Sequence, residues 1–210
     1  IGQDFHKSRM FKAKEIEGEL KYAVRRQEET IYYKRLRMAN PEMSRFKDLI
    51  LYNLEAGEAV LTDNNDIRVY TDGKEKFRAL IEEMKQAKRY IHMQYYIIRN
   101  DELWQEVEKV LIQKAREGVA VRVLFDSMGC RTMKNRDWER LEKEGIQVAE
   151  FFPALLGQLQ LRVNYRNHRK IVVIDGRVGF VGGFNVGREY LGRDKKFGYW
   201  RDTHLCIEGA

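Results

Sequence analysis

Six residues between positions 168 and 185 combine a nucleophile, a cation and hydrogen-bond donors in one short stretch. The order is HxK, four residues, Asp, six residues, Gly-Gly, one residue and Asn, which corresponds to His168, Lys170, Asp175, Gly182, Gly183 and Asn185. An imidazole can attack phosphorus, while an ammonium and a carboxamide can bind phosphoryl oxygens. An HxK alone would be explained better as a basic surface hairpin, but the complete spacing favours chemistry on a phosphate ester.

The same stretch predicts a β-hairpin that presents these side chains. The β-branched run 171–174 precedes the two-residue turn signal Asp175-Gly176, and apolar residues return at 178–181. Because side chains alternate between the faces of a strand, we expect His168 and Lys170 to lie on the same face. An imidazole and an ammonium on one face suit a phosphate group.

The predicted turn also fixes which residues of the hairpin lie opposite each other. It places Gly182 and Gly183 opposite Arg169 and His168, where the missing side chains would leave room for a bulky phosphodiester. Asn185 follows directly, with an amide that can donate to a phosphate oxygen. The glycines and Asn185 are therefore predicted to bind the phosphate.

Strands and helices alternate from Leu49 onward, which predicts an α/β fold with a mixed sheet and helices on both faces. No internal repeat or low-complexity segment is present. The predicted strands are 67–70, 90–98, 119–125, 146–151, the hairpin and 203–207, and the predicted helices are 73–87, 103–116 and 136–144. The sequence therefore predicts one domain over residues 49–210.

Residues 1–48 differ from the rest and predict a separate basic segment. The segment contains twelve Lys or Arg and eight Asp or Glu, a net charge of +4. Apolar residues such as Leu20, Val24 and Ile31 recur at a spacing that predicts an amphipathic helix, with Pro41 as a stop or kink. Two interpretations stay open: a juxtamembrane helix on acidic headgroups, or a solvated helix held by ion pairs.

Composition indicates a globular protein with an anionic partner. Of the 210 residues, 34% are charged and 43% are hydrophobic, and the net charge is +7. This charge suits either an acidic lipid surface or nucleic acid. No run of 18 apolar residues occurs, and the start at Ile1 predicts a piece of a longer protein.

The two cysteines, Cys130 and Cys206, lack metal-ligand spacing. They are interpreted as reduced thiols of a cytoplasmic environment, and a disulfide between them is also compatible with the sequence.

The chain resembles the N-terminal catalytic half of the bacterial cardiolipin synthases, which belong to the phospholipase D superfamily. The resemblance runs from about Leu61 to Gly209. It includes the segments TDGKEKF, IHMQYYIIRNDELW, VRVLFDSMG, FFPALL, RVNYRNHRKIVVIDG, VGGFNVGREYLG and FGYWRDTHLCIEG. As a set, and above all through NYRNHRKIVVIDG followed by GYWRDTH, these segments indicate this family more than other members of the superfamily.

The resemblance implies a mechanism. His168 would attack phosphorus to give a phosphohistidine, with Lys170 and Asn185 holding the phosphoryl oxygens. A second histidine, from a second motif that this chain lacks, would protonate the leaving alcohol and deprotonate the incoming one. No metal or other cofactor would be needed. Phosphatidylglycerol would be donor and acceptor, cardiolipin and glycerol the products, and the cytoplasmic face of the cell membrane the location.

A nucleophilic histidine needs its other ring nitrogen held, usually by a carboxylate. Asp175 belongs to the motif but lies at the turn, where we expect it to tie the hairpin. Asp202, at the start of the predicted strand 203–207, is the candidate for orienting His168; an ion pair with Arg201 or Arg188 is the alternative. His204 would share the face of Asp202, where a packed core histidine is favoured over a headgroup contact.

Other aromatic and apolar residues are spread around the motif segments. We expect most of them to be core residues, His92 among them. The exception is the apolar run Phe151–Gly157, which is predicted to be a loop that dips toward lipid.

Three functions are compatible with these features. The first is a phosphatidyltransferase that makes cardiolipin, present as a half that needs a C-terminal half or a second copy. The second is a single-motif phosphodiesterase or nuclease that completes its site as a homodimer and uses its basic charge on nucleic acid. The third is a lipid-binding module without catalysis. The segments around His168 and Asp202 favour the first.

Overall fold

The structure, a computed structural model, describes residues 13–32, 41–151 and 166–209, with side chains for 20–31, 41–151 and 166–209. The chain divides into two compact units, residues 1–64 and 65–210. The first unit thus extends past residue 48, the boundary predicted from the sequence. The lipid-facing loop predicted at 151–157 lies, from Phe152 on, outside the described residues.

The first unit builds a small core of its own. Its helices are α1 (Ala13–Tyr32) and α2 (Lys47–Gly57), with a 3-10 helix over Pro41–Phe46 before α2. Val24 and Ile31, seven residues apart on α1, pack with Ile50 and Leu54, four residues apart on α2. Two residues of the predicted apolar stripe, Val24 and Ile31, are therefore buried inside this unit, whereas Leu20 is exposed.

The second unit alternates strands and helices as the sequence predicted. The order is β1 (Asp66–Asp72), α3 (Gly73–Gln86), β2 (Tyr90–Tyr95), α4 (Glu102–Arg116), β3 (Ala120–Asp126), α5 (Asn135–Lys143), β4 (Gln147–Phe151), β5 (Ile171–Ile174), β6 (Val178–Gly182), a 3-10 helix (Arg188–Leu191) and β7 (Arg201–Glu208). Local signals set the boundaries: Asp72 and Asp101 cap the starts of α3 and α4, since each side chain accepts two backbone N–H groups. The predicted elements are confirmed.

The seven strands form one mixed sheet in the order β1-β7-β6-β5-β2-β3-β4. Strands β2, β3 and β4 run parallel, and the remaining neighbours run antiparallel. Because β5 is antiparallel to β2, the start of β5 meets the carboxyl ends of β2 and β3 at one edge. Ligands of open α/β sheets bind at such strand ends, and His168 lies there.

The helices described in this unit cover one face of the sheet, whereas the sequence predicted helices on both. Residues of α3, α4 and α5, such as Phe77, Trp104 and Leu141, pack with the alternate strand residues that are buried. The physical reason is that the connections from β2 through β3 to β4 step in one direction across the sheet, and right-handed crossovers then place their helices on the same side. On the other face, Ile67 and Val69 of β1 are exposed.

Among the described residues, no helix is long and apolar enough to cross a bilayer. Cys130 and Cys206 are free and buried, as expected for reduced thiols.

Candidate active site

The HxK residues lie in an extended segment that leads into β5, at the edge where β2 and β3 end. A buried carboxylate holds this segment in place: the backbone N–H of Asn167 donates to Oδ2 of Asp126 at 3.0 Å. The other oxygen, Oδ1, accepts the N–H of Met128 at 2.9 Å. Asp126 thus joins the end of β3 to the residue before the predicted nucleophile.

His168 and Lys170 lie against each other, as their alternation on a strand predicts. Nζ of Lys170 is 3.0 Å from both ring nitrogens of His168 and 2.7 Å from the His168 carbonyl oxygen. The ring of Tyr96 packs at an angle to the imidazole, with 4.7 Å between the centroids, and lies 5.3 Å from Nζ of Lys170. His168 is exposed and Lys170 is buried, so the histidine can meet a substrate while the lysine lies beneath it.

This arrangement favours a neutral imidazole beside a cation. Partial burial and the charge of Lys170 lower the pKa of His168 below its usual 6.5, while Asp126 opposes them. Burial lowers the pKa of Lys170 to about 8, and Asp202 opposes that shift. At neutral pH one ring nitrogen of His168 therefore stays unprotonated, as a nucleophile requires, and Lys170 remains largely protonated.

Asn185 is buried and its amide is held on both sides. Its Oδ1 accepts the backbone N–H of Ile97 at 3.0 Å, and its Nδ2 donates to Oη of Tyr190 at 2.8 Å. An amide nitrogen carries two N–H donors, so one remains for a phosphate oxygen. The bond to Ile97 also joins the loop after β2 to the loop after β6 at this edge.

The predicted register of the hairpin is wrong by one residue. Ile174 pairs with Val178, so Gly182 lies opposite Lys170, and its N–H donates to the Lys170 carbonyl at 3.3 Å. The reason is an extra residue after the turn: Arg177 closes the turn through the Ile174 carbonyl but stays outside the ladder. The sequence signal Asp-Gly marks the turn and does not report this insertion.

The two glycines permit a close approach of β7 rather than leaving an open space. A Cβ at Gly182 would lie 2.4 Å from the carbonyl oxygen of Thr203 and 2.7 Å from Cγ of His204. A Cβ at Gly183 would lie 1.9 Å from Oδ1 of Asp202. The space that the sequence analysis assigned to a phosphodiester is therefore occupied by β7 and by the Asp202 carboxylate.

Among the described residues, Asp202 forms no hydrogen bond with His168, and its charge acts on Lys170 instead. Its Oδ1 accepts the N–H of Thr203 at 2.7 Å, and its charge favours the protonated form of Lys170. The carboxylate that acts on His168 is Asp126, which the sequence analysis did not single out. A signal existed, because Asp126 directly follows the buried strand VRVLF, and polar residues at strand ends often face a site.

His204 is fully buried, which fits the core position that the sequence favoured. Its ring stacks near Phe184, with 6.1 Å between the centroids. Neither ring nitrogen has a hydrogen-bond partner among the described residues. His92, in contrast, is half-buried, and its Nε2 lies 3.0 Å from Nη1 of Arg122, so the expected core packing is wrong for it.

Asp175 lies apart from the other motif residues, at the far end of β5. Its carboxylate accepts three backbone N–H groups, from Lys88, Arg89 and Tyr90, at 2.8, 2.8 and 2.9 Å. Burial works to raise its pKa, but these donors outweigh burial and the pKa is lowered. Asp175 therefore ties the hairpin turn to the start of β2.

We expect Asp175→Ala to lower the free energy of unfolding by about 2–4 kcal/mol, because three backbone donors lose their acceptor. Since the pKa of the folded state lies below the usual 3.8, the contribution is present above pH 3.8 and is lost as the pH falls through the folded pKa. Urea unfolding at pH 7 measures the loss, with exposed Asp66→Ala as a control that changes stability little. Unchanged stability with lost turnover would place Asp175 in the chemistry instead.

Comparisons with known proteins identify the family. Residues 80–197 match the family described as cardiolipin synthase, PLD-like domain. The chain is 50% identical over 169 residues to the cardiolipin synthase of Oceanobacillus iheyensis, which covers 80% of this chain and 35% of that protein. It is 45% identical over 210 residues to the cardiolipin synthase of Staphylococcus aureus, covering 100% of this chain and 42% of that protein. The chain thus spans about two fifths of the length of such relatives.

Solved structures show the same fold at low identity. Phosphatidylserine synthase from Haemophilus influenzae superposes with a TM-score of 0.54 at 20% identity, covering 69% of this chain and 33% of that one. NucT from Helicobacter pylori superposes with a TM-score of 0.52 at 14% identity, covering 69% and 86%. At these identities the likeness concerns the fold alone. The family match over more than half of the chain, together with the HxK geometry, shows that the chain belongs to the family of cardiolipin synthase, PLD-like domains.

Proposed function

We propose that the chain is the nucleophile-bearing half of a cardiolipin synthase-type phosphatidyltransferase. The observation that carries this proposal is the exposed, neutral imidazole of His168 held against the cationic Nζ of Lys170. The identity of 45–50% to proteins named cardiolipin synthase supports the substrate class. Phosphatidylglycerol is then donor and acceptor.

The reaction proceeds in two displacements. A ring nitrogen of His168 forms a bond to phosphorus, and the bond from phosphorus to the glycerol oxygen breaks. Glycerol takes a proton from a histidine outside this chain's motif, which then removes the proton of the second phosphatidylglycerol's hydroxyl. That oxygen bonds to phosphorus, the N–P bond breaks, and cardiolipin forms. Lys170 and the remaining N–H of Asn185 neutralise the phosphoryl oxygens, and Asp202 keeps Lys170 protonated.

The substrate lies in an acidic membrane, so we place the protein at the membrane surface, on its cytoplasmic face. A net charge of +7 supports this location through attraction to anionic headgroups. Val24 and Ile31 are buried within the first unit, so the basic side chains of α1, rather than these two apolar residues, would contact lipid.

Incubation with phosphatidylglycerol vesicles tests the proposal, with cardiolipin and glycerol measured by mass spectrometry. We expect cardiolipin from the wild-type chain, two copies of which would pool their histidines, and from Arg169→Ala, but none from His168→Ala. Cardiolipin from His168→Ala, or phosphatidic acid as the sole product, contradicts the transferase. If the wild-type chain makes no product, the experiment is repeated with the C-terminal part of a relative added, because that part would supply the second histidine.

A further inference from the structure

An exposed loop lies between the residues of the candidate site. Residues 192–199, with the sequence GRDKKFGY, form this loop. It opens at Gly192, whose φ of 65° ends the preceding 3-10 helix, and it connects the segment of Asn185 to the strand that carries Asp202. Because β6 ends and β7 begins at the edge where His168 lies, the loop belongs to that edge of the sheet.

Aromatic contacts tie the loop to the phosphate site. The ring of Phe197 meets the ring of Trp200 edge to face, with 5.8 Å between the centroids. Trp200 meets Tyr190 in the same way, at 5.0 Å. The hydroxyl of Tyr190 accepts Nδ2 of Asn185 at 2.8 Å. A series of side-chain contacts therefore leads from the loop to the amide at the phosphate site.

The loop presents two aromatic side chains to the outside. Phe197 is 49% exposed, and Tyr199 is 69% exposed. Among the described residues of the second unit, these two are the exposed aromatic side chains. Exposed rings of this kind favour the boundary between water and lipid, where one part of the ring leaves water and the other part stays hydrated.

The loop also has an excess of exposed positive charge. Arg193, Lys195 and Lys196 are exposed, and no carboxylate among the described residues forms an ion pair with them. The one acid of the loop, Asp194, has other contacts: its Oδ1 accepts the N–H of Lys196 at 2.9 Å, and its Oδ2 lies 3.7 Å from Nε of Arg188. Cations without an ionic partner, next to exposed rings, are complementary to a surface of negative charge.

An acidic bilayer has the chemistry that matches this loop. A phospholipid keeps its phosphate at the level of the headgroups, so a nucleophile at this edge has to reach that level. The parts of the protein next to it then meet the bilayer as well. Aromatic rings are stable at that depth, and each lysine near the surface is attracted by anionic lipid. The proposed substrate, phosphatidylglycerol, carries the required negative charge.

We propose that residues 192–199 form the surface by which the second unit docks on an acidic membrane. Phe197 and Tyr199 insert among the headgroups. Lys195 and Lys196 lie against the anionic lipid around them. The loop does not touch the reacting phosphate, but it holds the nucleophile at the level of the headgroups. This surface rests on the proposed function, because the substrate there is a membrane phospholipid.

Sedimentation of the whole chain with vesicles of phosphatidylglycerol and phosphatidylcholine in equal parts measures the docking. Phe197→Ser with Tyr199→Ser removes both rings, and we expect about tenfold weaker binding, because less apolar area leaves water. Lys195→Gln with Lys196→Gln removes two charges, and we expect about thirtyfold weaker binding. On vesicles of phosphatidylcholine alone, the ring variant should still bind more weakly than the wild type, whereas the charge variant should equal it.

Two variants elsewhere are matched controls. Tyr52→Ser removes a ring that is 68% exposed on α2. Lys109→Gln with Lys143→Gln removes two exposed charges from α4 and α5. We expect each control to bind the acidic vesicles within about twofold of the wild type, because screening limits the effect of distant charges. Losses in the controls as large as those in the loop variants overturn the docking surface, since exposed rings and net charge alone would then decide binding.

Other occupants of the loop give different results. If single-stranded oligothymidine binds through the same residues and acidic vesicles do not, the surface serves nucleic acid and the membrane proposal is overturned. A dimer that dissociates in the ring variant, with unchanged vesicle binding, makes the loop a contact between copies and also overturns it. Should the ring variant fail to fold, Tyr199→Ser alone decides, because among the described residues its ring stacks on no other; unchanged vesicle binding then overturns the proposal.

The soluble ester bis(p-nitrophenyl) phosphate separates this surface from the proposed function, since it reaches His168 without a membrane. A burst of p-nitrophenolate from the wild-type chain, together with vesicle binding that the loop variants weaken, is the result that we expect. A burst without vesicle binding leaves the phosphoryl chemistry standing and overturns the docking surface. Vesicle binding through the loop without a burst overturns the proposed function and leaves the surface.

Discussion

The wild-type chain releases a burst of about one equivalent of p-nitrophenolate from bis(p-nitrophenyl) phosphate, and His168→Ala releases none: this is the largest effect that we expect. The imidazole forms a bond to phosphorus, and the bond to the p-nitrophenyl oxygen breaks. Because p-nitrophenolate leaves without a proton, the step needs no general acid, so the histidine of the absent second motif is not required. Stopped-flow absorbance measures the burst.

Removal of the nucleophile should slow the first turnover by roughly 10³-fold or more, as in other enzymes with covalent intermediates. Arg169→Ala is the matched control, since Arg169 is the exposed neighbour of His168 in the same segment. Intact-mass measurement after an alkaline quench should find the p-nitrophenyl phosphoryl adduct on the wild-type chain. A burst of equal size from His168→Ala would rule out His168 as the nucleophile.

Local patterns in the sequence predicted the parts of the site that are close along the chain. His168 and Lys170 are two residues apart, so strand alternation alone puts them on one face. Their position at the sheet edge depends on a contact between distant strands, because β5 lies antiparallel to β2 and its start therefore meets the carboxyl ends of β2 and β3. The tie between Asp175 and the turn was likewise expected.

Contacts between distant segments were not predictable in this way. Asp126 reaches Asn167, 41 positions along the chain, and Lys76 reaches Tyr95 from a different element. A single lysine on a helix that is otherwise amphipathic carries no sign of complete burial. The register error at Gly182 has a local origin, because Arg177 closes the turn through the Ile174 carbonyl and stays outside the ladder, which the Asp-Gly signal does not report.

The second large effect concerns pH and Lys170. We expect kcat/KM for the p-nitrophenyl ester to rise as His168 loses its proton, at a pKa below 6.5, and to fall as Lys170 loses its proton, at a pKa of about 8. The sign follows from the roles, because a nucleophile acts without its proton and a cation acts with it. Lys170→Met should lower the rate by roughly 10²–10³-fold and remove the alkaline decline.

Asp202→Asn tests the origin of that alkaline decline. The carboxylate of Asp202 raises the pKa of Lys170 against the effect of burial, so its neutralisation should move the decline to lower pH, while Asp66→Asn at the exposed start of β1 should not. A bound phosphoryl group raises the same pKa, so the decline in kcat should lie at higher pH than the decline in kcat/KM. An unchanged pH profile in Asp202→Asn would show that the charge of Asp202 does not set the pKa of Lys170. The bound phosphoryl group would then be the charge that keeps Lys170 protonated during the reaction.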